Sequence, residues 1–237
     1  MRPRLGFVVG VCLLAVLAIA GGPSVMAASA TPDASPDVPP PFDLSGLAGL
    51  QTVLMRAYAA DTSALLATPA SAEATPDYSS FGVVSLSAIV FQFDSETDAA
   101  AGFEGVMTQV MSPGNTGGID LKEVDAAVAG LGANTKAYVA AIDQGAGLSL
   151  NQAVLVTQDG AFIYETIVIS LTSVDDAQAT AVAVAQAMIA APLGEGDGTL
   201  VKDGTSSGGV WEKFPKAGDP MLHGMTPEMD DQIDPAA

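Results

Sequence analysis

LNQAVLVTQDGAFIYETIVISL, residues 150–171, places two β-rich runs, 150–157 and 161–171, on either side of Gln158-Asp159-Gly160. An Asp-Gly pair between runs of β-branched and aromatic residues is the composition of a hairpin loop, because glycine enters the positive φ that tight hairpin turns require. An antiparallel strand pair is expected here. In strict alternation, Glu165 shares a face of the second run with Ile163, Ile167, Ile169 and Leu171, where an unpaired carboxylate is costly to bury. Two readings follow: a residue at the sheet margin beyond any helix cover, or a ligand contact made with Tyr164 or Lys136.

The elements on either side of the hairpin extend the pattern. Upstream, TKAYVAAI (135–142) reads as a strand, and downstream SVDD (173–176) opens a helix capped by Ser173. The body of that helix, 177–191, sets Ala181, Val184, Ala185 and Met188 on one face, and Pro192 and Gly194 end it. Further upstream, VVSLSAIVFQF (83–93) is a strand candidate. It leads through Ser95 and Asp98, a capping pair, into a helix with Phe103, Val106, Met107 and Val110 on its stripe, stopped by Ser112-Pro113-Gly114-Asn115. A second short helix is expected from Asp120, with Glu123 returning, Leu121, Val124 and Val128 as its stripe, and Gly130 and Gly132 at its end. Residues 44–61 fit a helix face through Leu47, Leu50, Leu54 and Tyr58, and equally fit a strand through TVLMRAY. Three consecutive strands after the helices predict an α+β domain over 44–193, an antiparallel sheet packed by helices on one face. The glycine-rich segment and acidic, methionine-containing tail (194–237) form the last region, with a strand pair near 199–203 and 209–214 anchored by Trp211 and Phe214.

Arg2 and Arg4, the apolar run 5–22 and the small residues 24–30 have the three-part layout of a secretory leader, cut after Ala27 or Ala30. The alternative is an uncleaved membrane anchor. The proline- and aspartate-rich stretch 31–43 follows as a spacer. The expected location is secreted or extracytoplasmic, with no stable membrane span after cleavage. Cys12 is the only cysteine and lies within the leader, so no disulfide is expected in the mature chain. Beyond residue 30, six basic residues face all 27 acidic ones, a net charge of about −21. Such a field repels phosphate backbones, so nucleic acid is excluded as a partner.

Catalytic motifs are sparse. GTSSG (204–208) matches the serine nucleophile pattern around Ser206, but no helix follows it and the sole histidine, His223, lies in the tail. Glu195, Asp197 and Asp203 offer oxygen ligands without EF-hand spacing. Met221, His223 and Met225 bring thioether and imidazole donors together, a set that suits Cu(I). Pro227 interrupts any helix that would align them with Met229, and the same methionines suit apolar packing.

FQFDSETDAAAGF, GLGAN, AVLVTQDGAFIYETIVIS and DDAQATAVAVAQAMIAA, taken in order over residues 83–191, resemble the extracellular sensor domains of actinobacterial serine/threonine kinases and the related PsbP-like lipoproteins. The resemblance rests on packing and turn residues. It implies an α+β fold and a non-catalytic role, and carries over no functional residue. The expected function is an exported, non-enzymatic binding or sensor-like domain for a small molecule or protein, seated at an open sheet face and needing no cofactor. An extracytoplasmic Cu(I)-binding protein using the tail is the alternative, and a secreted enzyme the third.

Overall fold

The computed structural model describes residues 44–61, 82–116, 118–126, 130–132, 134–145, 148–196 and 208–233. The expected leader and spacer lie outside these residues, as do Asp197, Asp203 and Ser206. Strand β1 spans Leu50–Ala59 and β2 spans Val83–Phe93; helix α1 is Glu96–Val110 and α2 a single turn at Pro113–Thr116. Strands β3 (Lys122–Val124), β4 (Asn134–Gly145), β5 (Leu148–Asp159) and β6 (Phe162–Ser170) follow, then α3 (Val174–Ala190). Two 3-10 turns, Gly209–Lys213 and Pro220–Leu222, lead to β7 (Thr226–Ile233). The strands form one antiparallel sheet in the order β3-β4-β5-β6-β2-β1-β7.

The central hairpin is as expected, with its loop one residue later. Asp159 pairs with Phe162, leaving Gly160 and Ala161 as the loop, and Gly160 takes φ +56°. Both helix caps also form. Ser95 Oγ accepts from the Asp98 amide at 3.2 Å and donates to its carboxylate at 2.5 Å. Ser173 Oγ accepts from the Asp176 amide at 3.0 Å.

The sheet is α+β as expected, but the helices cover both faces rather than one. One face joins Leu54, Leu86, Val90, Leu155, Tyr164 and Val168 to the buried side of α3. The other joins Met55, Ile89, Phe91, Val154, Val156 and Ile163 to Phe103, Val106 and Met107 of α1. The reason lies in β2 and β6: apolar residues stand on both faces of each run instead of on one, and nearly every residue is buried. A strand with two apolar faces needs two covers. Gly102 lets α1 approach, since a Cβ there would meet the Phe93 ring at 2.8 Å.

Three expectations along the chain change. Residues 44–61 resolve in favour of strand. Within the span of the second short helix, Lys122–Val124 form β3 instead, pairing with Ala137–Val139 at the edge left by β4, while Val128 lies outside the described residues. Trp211 and Phe214 are buried anchors, but on a 3-10 turn, and β7 arises in the tail beside β1. Residues 208–233 therefore belong to the same folded body as the described residues of 44–193. Among the described residues no helix is long and apolar enough to cross a membrane.

Candidate functional site

Among the described residues, helices cover both faces of the central strands. A concave surface lies where α3 ends. There α3 stops at Ala190, Pro192 blocks its continuation, and Gly194 N–H donates to the Gly209 carbonyl at 2.9 Å. That bond ties the loop after α3 to the first 3-10 turn. Between them runs a groove of about 700 Å³, with Ala187, Ala191 and Pro192 on one wall and Phe214 and Pro215 on the other.

The charged groups of the groove are largely engaged with the protein itself. Lys213 Nζ donates to the carbonyls of Ala191 at 2.7 Å and Ile189 at 3.4 Å, satisfying acceptors that a helix end leaves without intrahelical partners. Its ammonium lies 5.4 Å from the Phe162 ring centroid and 5.8 Å from that of Tyr164. Burial lowers the Lys213 pKa, with Asp159 acting the other way. Glu212 and Lys216 pair at 2.8 Å, and the hydrogen bond from Lys216 holds the Glu212 carboxyl below its usual range. Asp219 accepts from the Lys216 amide at 2.8 Å. The groove thus joins apolar side chains to charged groups that the protein itself engages.

The tail that forms one wall is held by Arg56. Its guanidinium makes a two-pronged contact with Asp230, 2.6 Å from Nε to Oδ1 and 2.8 Å from Nη2 to Oδ2, with side-chain exposures of 12% and 5%. The same group lies 5.5 Å from the Trp211 ring centroid and 5.4 Å from that of Phe214. Tyr58 Oη donates to the Pro215 carbonyl at 2.8 Å, and burial raises its pKa. Neither Arg56 nor Lys213 was singled out by motif reasoning. The available signal was that Arg56 is the only arginine beyond the leader.

Glu165, Tyr164 and Lys136 do not converge. Tyr164 points to the α3 face and Glu165 to the α1 face of the same strand. Lys136 is in the same cross-strand row as Glu165, with Val156 between them, and pairs with Glu123 at 2.7 Å. Glu165 is not at a margin: it is 1% exposed on a central strand, and burial pushes its pKa up to about 8. Met221 and Met225 pack in the α3-side core, Met225 with no exposure, while His223 Nε2 is 3.1 Å from Thr180 Oγ1 of α3. Their observed partners are thus apolar side chains and a hydroxyl. No group of three or more His, Cys, Asp or Glu residues suited to a metal ion occurs among the described residues.

Comparison of the chain with protein-family models, curated proteins and solved structures yields no match.

Proposed function

We propose that the chain is an exported, non-enzymatic binding domain whose ligand, a small molecule or a short peptide segment, seats in the groove between the end of α3 and the first 3-10 turn. The groove itself carries this reading. Its volume of about 700 Å³ falls within the usual range of ligand sites, and its lining sets apolar side chains beside polar groups held in place by the protein. Exposed Leu193, 54% accessible beside Pro192, adds apolar surface next to it. Export rests on the leader at 1–30. The sensor-like resemblance supports a binding role of the same kind.

The test fills the groove without touching the core. Native mass spectrometry of protein purified under non-denaturing conditions is expected to show an adduct of small-molecule or peptide mass. Ala187→Trp, with unchanged circular dichroism, should lose it. Retention of the same adduct by this variant would place the ligand elsewhere, and absence of any adduct together with no ligand-induced thermal shift in a metabolite and peptide screen would reject the binding role.

A further inference from the structure

Glu165 occupies the middle of the sheet face that α1 covers. Its neighbours in the sheet are all aliphatic: Ile163 and Ile167 along β6, Val156 opposite on β5 and Ile89 opposite on β2. The side of α1 turned to the sheet carries Ala99, Gly102, Phe103, Val106, Met107 and Val110, with no titratable group. Oε2 of Glu165 has no hydrogen-bond partner.

The charged groups on this face are remote. Along the same row, Met55 of β1 and then Asp231 of β7 lie to one side, and Lys136 of β4 to the other. Lys136 is two strands away, roughly 10 Å at ordinary strand spacing, and is engaged by Glu123. Asp231 is three strands away. Tyr138 of β4 and its cross-strand partner Glu123 of β3 lie farther out on this face, and Glu104 of α1 is exposed and acts on Lys136 and Tyr138.

We propose that Glu165 makes the seating of α1 pH-sensitive: the helix stays docked while the carboxyl is protonated and is released from the sheet as the carboxyl ionises. A carboxylate cannot remain among these aliphatic neighbours without a large desolvation cost. β6 cannot move to relieve it, because it is hydrogen-bonded along both edges by β5 and β2. The cover can move, since α1 is held to the sheet chiefly through apolar side chains.

The direction follows from linkage. Docked, Glu165 titrates near 8; released into water, it returns to its ordinary 4.5. Between these limits the docked form holds a proton that the released form has lost. Release therefore becomes about tenfold more favourable per pH unit and levels off above the upper limit.

Hydrogen exchange read by mass spectrometry on the full chain at pH 5, 6.5 and 8, corrected for intrinsic exchange, tests this. Protection of α1 amides is expected to fall about tenfold per pH unit while α3 amides hold theirs. In Glu165→Gln the α1 protection should be flat with pH, and Glu165→Leu serves the same purpose if the glutamine variant does not fold. PH-independent α1 protection in the wild type, joint loss of protection in α1 and α3, or an unchanged slope in the variant would each overturn the proposal.

Discussion

Arg56→Ala is expected to detach the segment 208–233 from the sheet and to lower the thermal midpoint by on the order of 10 °C. The substitution leaves Asp230, 5% exposed, without its two-pronged partner. Removing one member of a buried pair costs about 3–5 kcal/mol, more than an exposed pair contributes, because the remaining charge is stranded. It also uncovers the Trp211 and Phe214 rings on which the guanidinium lies. For a domain of this size each kcal/mol moves the midpoint by about 2–4 °C. Differential scanning calorimetry measures the shift, and limited proteolysis should show cleavage between 208 and 233 that the wild type resists. A double replacement, Arg56→Met with Asp230→Leu, should recover most of the midpoint, since well-packed apolar pairs replace buried ion pairs at little cost. A midpoint within 2 °C of wild type in the single variant would show that β7 and the 3-10 turns are held by their apolar contacts alone. Because Phe214 and Pro215 form one wall of the groove, the same variant should weaken ligand retention.

The parts of the fold legible in the sequence are those encoded locally. Asp159-Gly160 between two β-rich runs, and the serine caps at Ser95 and Ser173, each depend on residues a few positions apart. β7 was hidden for the opposite reason. TPEMDDQI has a proline and three acids and no β-branched alternation, yet it forms a strand because β1 leaves an edge to pair and Arg56, 174 residues earlier, meets Asp230. β3 was misread because a short stripe at Leu121 and Val124 fits a helix as well as an edge strand. The alternation that assigned Glu165 to an apolar face was correct, but its burial depends on β2 lying beside β6, a neighbour 70 or more residues away in the chain. The groove has no sequence pattern of its own, since it arises where the end of α3 meets a turn from the tail.

That topological burial of Glu165 leads to the second large effect, on global stability. Its pKa in the folded chain, about 8, is above its ordinary 4.5. For a group whose folded pKa is raised, the associated stability is complete below the unfolded pKa and is lost as pH rises through the folded one. The loss accumulates from about pH 4.5 to pH 8 and amounts to on the order of 4 kcal/mol for such a shift. Glu165→Gln keeps the shape and removes the titration. The thermal midpoints of the two proteins should therefore lie close together near pH 4.5 and diverge as pH rises, with the variant higher by on the order of 10 °C at pH 8. All other carboxylates are common to both chains, so the difference between the curves isolates this one group, whatever the remaining 26 acidic residues do. A difference that does not change between pH 4.5 and pH 8 would mean that Glu165 titrates alike in the folded and unfolded chain, despite its burial. If the midpoints diverge while α1 and α3 lose exchange protection together, the carboxyl is a global destabiliser; if α1 alone loses protection first, the same penalty acts as a local release of the helix.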